Sequence, residues 1–336
     1  MTSSSRRSLY FDNAKFFLIF LVVFGHVISP IKDNNNILFT LYSVIFLFHM
    51  PAFIFISGYF SKGFNKKGYL LKILKKILLP YLIFQVLYSL FYYLDGEVPS
   101  LKVDMLQPHW SLWFLLSLFC WNLFLYIFAR LKWTGLVISI AIGVGIGYFD
   151  HVGSFLSLSR TLVFFPYFLL GYLVEPKHLK IVKKARFSPL IGFAILLGTA
   201  LVFAALFPKG AMPWLFGDTS YANMGVKELT SVLKRSSQYL VTLIVTYGFL
   251  AMVPTKGFKF TIIGERTLYV YLLHGFIIKT IEMFVSYDTL NGFSTHYVIL
   301  TVFSLVICFL LGSFFIKKYT CPLVEMRIFN TKSLLP

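Results

Sequence analysis

Long apolar runs alternate with short polar junctions along almost the whole chain. A hydrocarbon core of about 30 Å takes roughly 20 apolar residues in a helix. The runs therefore predict about ten transmembrane helices, over 15–30, 37–60, 77–94, 110–129, 133–149, 161–175, 189–207, 237–253, 266–285 and 296–316. The fifth and sixth runs are short for a full crossing. The junctions alternate in charge. One set holds Arg6, Arg7, six lysines from Lys62 to Lys76, Arg130, Lys132, the cluster Lys177, Lys180, Lys183, Lys184 and Arg186, then Lys256, Lys259, Lys317 and Lys318. The other set holds acids, among them Asp33, Asp95, Asp104, Asp150, Asp218 and Asp288. Basic residues stay on the cytoplasmic side, so the pattern predicts both termini inside. In KKGYLLKILKK (66–76) lysines alternate with Leu and Ile at helical spacing, which suits a segment lying on the inner membrane surface. The longest outer loop, about 208–236, either caps a site or only joins two helices.

Composition agrees with an all-α membrane protein. Of 336 residues 58% are hydrophobic and 13% charged, whereas a soluble domain is about a quarter charged; mean hydropathy is +0.78. The net charge of +18 raises nucleic acid as a partner. The basic residues sit between apolar runs without forming a stripe, so topology accounts for them and no nucleic acid is expected. Cys120, Cys308 and Cys321 have neither metal nor redox spacing, so no disulfide and no metal is expected. The first run lacks a small-x-small cleavage site and reads as a retained helix. The expected organisation is one transmembrane domain over 1–320 and a short cytoplasmic tail, 321–336, with no appended soluble domain.

Ionisable residues inside apolar helices mark candidate chemistry, because they cost free energy in hydrocarbon and usually face a cavity. Lys15 and His26 are eleven residues apart, hence about 20° apart around a helix and about 16 Å along it. Asp12 shares their sector and Asn13 does not. His49 and His274 fall at a depth similar to His26 on two other helices. Each of those two is either a satisfied interhelical hydrogen bonder or part of one site. Pro51 removes a backbone hydrogen bond and frees the Leu47 carbonyl beside His49. Arg160, opening an apolar run, is either a snorkelling anchor or a clamp for an anionic or hydroxyl-rich substrate. His109, Trp110 and Trp113 sit at a helix end, as an aromatic belt or as a surface for stacking sugar rings.

The segments DNAK with LVVFGH, FHMPAFIFISGYF (48–60), HWSLWFLLSLF (109–119), RTLVFFPYFLLGY (160–172) and IGERTLYVYLLHGFI (263–277) occur in an order that resembles the membrane acyltransferase-3 family, nearest its fucose 4-O-acetylase-like branch. The resemblance covers about 10–320. It implies a ten-helix bundle in a bacterial plasma membrane that moves an acetyl group from cytoplasmic acetyl-CoA to a sugar hydroxyl. The acceptor would be a surface or capsular polysaccharide or its lipid-linked precursor. The family's basic residue eleven before the helix-one histidine is often arginine. Here it is Lys15, which lacks the bidentate fork of a guanidinium.

Imidazole has the pKa range to take a hydroxyl proton and return it to a departing thiolate. His26 is thus the expected general base, with the covalent acyl-histidine route open beside it. Asp12 and Lys15 would position the donor, and His49 or the backbone near Pro51 would face the oxyanion. Lys72, Lys75 and Lys76, or the cluster Lys177 to Lys184, would hold the CoA phosphates. Arg160, Trp113, His109 and His274 would meet the acceptor. The rival reading is a transporter or flippase of a polar lipid or sugar, which also wants membrane His, Lys and Arg around a cavity. No inverted repeat or pair of matching broken helices supports it.

Overall fold

The computed structural model describes residues 8–96, 98–152, 155–179, 187–226 and 229–326. Among these the chain is helical, with no strand. Ten long helices follow in order: α1 (Leu9–Ile28), α2 (Asn36–Tyr59), α3 (Leu79–Asp95), α4 (Trp113–Gly145), α5 (Leu158–Leu173), α6 (Ser188–Leu206), α7 (Thr230–Met252), α8 (Thr267–Phe284), α9 (Tyr297–Leu311) and α10 (Phe314–Glu325). Each apolar run of the sequence lies in helix, but the expected ten separate crossings are not reproduced. Among the described residues six helical stretches are long and apolar enough to cross a membrane, or seven if α9 and α10, bent by 64°, count as one. The runs 110–129 and 133–149 share α4, which breaks at one residue, Lys132 (φ 49°, ψ −127°). α5 has only 16 residues, and α7 carries Lys234 and Arg235 in its first two turns.

Two further segments, the one leading into α3 and the C-terminal helix, adjoin the bundle. Gly68, at φ 81°, starts a helix over Tyr69–Ile73. This passes through a π turn, Leu74–Leu78, directly into α3. Lys72, Lys75 and Lys76 are therefore the first turns of a helix that enters the bundle, held there by Tyr69 Oη donating to Asn122 Oδ1 (2.6 Å). At the other end Ser313 caps α10, and Tyr269 donates to Glu325 (2.7 Å). Residues 321–325 thus pack on α8 as part of the bundle; 327–336, the rest of the expected tail, lie outside the described residues. So do Arg6, Arg7, Lys180, Lys183, Lys184 and Arg186.

α1 is the central post. It packs against α2, α8, α9 and the short helix Thr261–Glu265. The Asp12-Asn13 pair splits its duties here. Buried Asn13 donates to the carbonyls of Pro254 (2.9 Å) and Lys256 (2.8 Å) and accepts from Thr261 (2.6 Å), so it clamps the 254–261 loop to α1. Gly264 has no Cβ because the Asp12 carbonyl occupies that space. A second close approach joins α2 to α5. A Cβ on Gly58 would overlap the Phe168 carbonyl, and one on Gly171 would overlap the Phe55 carbonyl. This reciprocal contact draws His49 and Arg160 toward one interior. α2 runs unbroken through Pro51, and the freed Leu47 carbonyl accepts from Thr242 Oγ1 of α7 (3.3 Å). Below, the near face is the one where α1 begins and the far face the one where it ends.

Candidate active site

Two cavities lie one above the other along α1. The far one, about 270 Å³, is lined by His26, His49, Trp110, Trp113, Arg160, Asp218 and Tyr271, among others. The near one has the same volume, about 270 Å³, and is lined by Lys15, Ser57, Lys76, Thr267 and apolar residues. Val22, Met50 and Tyr271 border both. Helical periodicity explains how one helix serves both spaces. Lys15, Val22 and His26 are spaced seven and four apart, which keeps them on one face.

His26 and His49 line the far cavity, whereas His274 is fully buried beside His26 and does not border it. The His26 and His274 ring centres are 5.5 Å apart, and Trp110 lies 4.3 Å from His26 and 5.0 Å from His274. Phe46 sits between His26 and His49, at 6.0 and 4.9 Å. His49 Nδ1 is 2.6 Å from the Ile45 carbonyl, and His274 Nδ1 is 2.7 Å from that of Tyr271. A carbonyl only accepts, so both Nδ1 atoms carry hydrogen, and in the neutral rings Nε2 is left as an acceptor. His49 is thereby a poor oxyanion donor while neutral. His274 Nε2 is buried with no hydrogen-bond partner among the described residues, and the His26 ring is its neighbour. Gly275 makes this arrangement possible, because a Cβ there would enter the Trp110 indole and the Tyr88 hydroxyl. The Trp110 backbone is in the left-handed region, φ 42°.

Arg160 is placed at the cavity, but not as a free clamp. Its guanidinium pairs with Asp218, donates to the Phe216 carbonyl and lies 5.2 Å above the Trp113 ring. The 208–236 loop therefore does cap the site: Leu215, Phe216 and Asp218 line the cavity. Arg235, 2% exposed, anchors that cap by donating to the Trp214 carbonyl (2.7 Å), as does Gln238 (2.8 Å). Neither Asp218 nor Arg235 was singled out as a site residue from sequence. The contacts that tie them to the cap, Asp218 with Arg160 and Arg235 with the Trp214 carbonyl, join residues far apart along the chain, so no local pattern marks them.

His109 does not border the cavity. Its Nε2 meets Ser89 Oγ (2.9 Å) and its backbone N–H donates to Gln85 Oε1 (3.0 Å). Burial pushes its imidazole below the ordinary value, against a smaller upward pull from Asp104. Fully buried Gln85 also donates to the carbonyls of Asp104 (2.6 Å) and Gln107 (2.8 Å). It thus fixes the loop that delivers Trp110 and Trp113. Trp113, by contrast, is at the cavity, beneath Arg160.

On the near side Lys15 pairs with the buried Asp12 (2.7 Å) and faces the near cavity. An adjoining space of about 220 Å³, lined by Ser57, Ser61, Tyr69, Lys72, Lys76 and Asn122, extends it toward the near face. Lys72 and Lys76 border this route and Lys75 does not. Among the described residues no group of three His, Cys, Asp or Glu side chains is placed to hold a metal ion.

Residues 8–313 match the acyltransferase-3 family, described as an acyltransferase domain. The chain is 28% identical over 185 residues to nodulation protein NolL of Sinorhizobium fredii, covering 51% of this chain and 49% of that protein. It is 41% identical over 63 residues to nodulation protein NolL of Mesorhizobium japonicum, covering 18% and 17%. The chain thus spans about half the length, or less, of these curated relatives. No solved structure matches it.

Proposed function

The chain belongs to the acyltransferase-3 family, and on that premise we propose that it carries acetyl from cytoplasmic acetyl-CoA to a sugar hydroxyl of a cell-surface or capsular polysaccharide, or its lipid-linked precursor, in a bacterial plasma membrane. The observation that carries this reading is the meeting of two unlike cavities at Val22, Met50 and Tyr271. One side is mostly apolar, with Lys15 and Lys76 in its wall and Lys72 along its extension toward the near face, which suits the arm and phosphates of CoA. The other holds imidazoles, indoles and an Arg–Asp pair, as a sugar site requires. The near face is then cytoplasmic, in keeping with the lysines there. This division also favours acyl transfer over transport of a polar lipid or sugar.

Asp12, paired with Lys15, would hold that ammonium toward the donor, and Lys72 and Lys76 would meet the phosphates. The acceptor hydroxyl would lie between His26 and the thioester. His26 takes the hydroxyl proton through one ring nitrogen. The oxygen attacks the carbonyl carbon, the carbon–sulfur bond breaks, and the proton returns to the leaving thiolate. In this step the other His26 nitrogen would turn to donate to His274 Nε2, which has no hydrogen-bond partner among the described residues and lies in the neighbouring ring, 5.5 Å between ring centres. His274 is then a positioning residue that fixes the tautomer of the base. His49, with Nε2 open, suits an acceptor hydroxyl better than an oxyanion. Trp113 offers a stacking face, and Arg160 with Asp218 offers a donor and an acceptor for vicinal hydroxyls.

Purified protein in lipid nanodiscs, given acetyl-CoA and base-treated glycan extract from the producing cells, should release free CoA thiol in proportion to added glycan. Loss of that dependence on glycan would sink the reading.

A further inference from the structure

We infer that Val22, Met50 and Tyr271 form a collar that restricts the transferred group to acetyl. The inference rests on the acyl-transfer reading above and adds what selects the acyl chain. These three residues are the ones common to both cavities, so the reacting carbon sits at their level. In the tetrahedral intermediate that carbon carries four substituents. Sulfur points back along the near cavity and the new sugar oxygen points into the far one. The remaining two, the oxyanion and the acyl chain, project sideways into the collar.

The collar is fixed on two sides. Val22 is 3% exposed and packed within α1's core face. Tyr271 donates from its hydroxyl to the Ser111 carbonyl and leans on Phe114, ring centres 5.6 Å apart. Met50 is the third wall, an unbranched side chain on the α2 turn that ends at Pro51. A methyl on the carbonyl carbon is the smallest acyl chain these walls can face, and each added methylene asks more room of them, most readily from the flexible Met50. The bond changes are those of simple transfer: the thioester C–S bond breaks, the ester C–O bond forms, and the hydroxyl proton ends on the thiol.

The test compares acetyl-, propionyl- and butyryl-CoA with the nanodisc protein and base-treated glycan extract, reading ester formed on the glycan by mass. An extra methylene in a tight pocket changes kcat/KM by roughly 10- to 200-fold. The wild type should therefore favour acetyl over propionyl by at least about 10-fold. Met50→Ala, and independently Val22→Ala, should shrink the acetyl-to-butyryl ratio by about 10-fold or more. Equal efficiency of the three donors with the wild type would overturn the collar while leaving acyl transfer intact. So would an unchanged ratio in monodisperse variants. No transfer from any of the three thioesters would instead overturn the acyl-transfer reading on which the collar depends.

Discussion

The α2–α5 crossing allows a sharp prediction, because two glycines, one on each helix, sit against the other helix's backbone. A methyl at Gly58 overlaps the Phe168 carbonyl and a methyl at Gly171 overlaps the Phe55 carbonyl. Backbone cannot swing aside as a side chain can. The helices must separate until carbon and oxygen are about 3.3 Å apart, a shift of more than about 1 Å. Overpacking of this kind typically costs about 1–3 kcal/mol. The shift also reaches the site, since α2 carries His49 and Met50 while α5 carries Arg160. A misplacement of about 1 Å can lower a rate about 100-fold. Gly58→Ala and Gly171→Ala should each reduce thermal stability in detergent and glycan acylation in nanodiscs. Once one methyl has parted the helices, the second has less to do, so the double variant should be less destabilised than the sum of the singles. Additive losses would mean that the two glycines serve separate contacts. A change below about 0.5 kcal/mol in either single variant, the level of an unremarkable surface substitution, would refute the close crossing itself.

Other substitutions separate roles within the site. His274→Ala should lower kcat by about 100-fold or more with little change in the KM for acetyl-CoA, as steady-state CoA release will measure; a KM effect alone would make His274 a binding residue. Lys76→Ala and Lys15→Ala should raise the KM for acetyl-CoA about 10-fold, from loss of a charge-assisted contact of about 1.5 kcal/mol, whereas Lys75→Ala should not. Asp218→Asn leaves the Arg160 guanidinium without its counter-charge. Both side chains keep 24% and 32% exposure, which holds the expected loss of stability in a thermal melt to about 1–2 kcal/mol, and glycan KM should rise. Gly275→Ala should displace the Trp110 indole, which fluorescence in a background lacking the other tryptophans would register as a shifted emission maximum.

The parts of this molecule readable in sequence are those that repeat within one helix. The stripe of Lys15 and His26 followed from the helical period, and Val22 completes it at the collar. The rise per residue gives His26, His49 and His274 a similar depth; in the fold His26 neighbours His274, and Phe46 stands between His26 and His49. Long-range partners left no such trace. Arg160 gave no hint of Asp218, which comes from a loop after another helix. His109 looked like Trp113's companion at a helix end, yet Gln85 and Ser89 draw it away from the cavity. The basic pair Arg130 and Lys132 interrupts the apolar run and predicts a loop between two spans, whereas a single residue with positive φ, Lys132, suffices to turn the helix. The histidine tautomers depended on carbonyls three or four residues back, a detail that needs side-chain geometry.

The most direct test of acetyl transfer through His26 is the proton NMR spectrum of the surface glycan, before and after mild base, from cells with the wild-type chain, without it, and with His26→Ala. A base-labile acetyl signal present only with the wild-type chain is the predicted result, with His26→Ala protein inserted in the membrane at normal abundance. An acetyl signal that persists near its wild-type level in the His26→Ala cells would contradict the role given to this histidine.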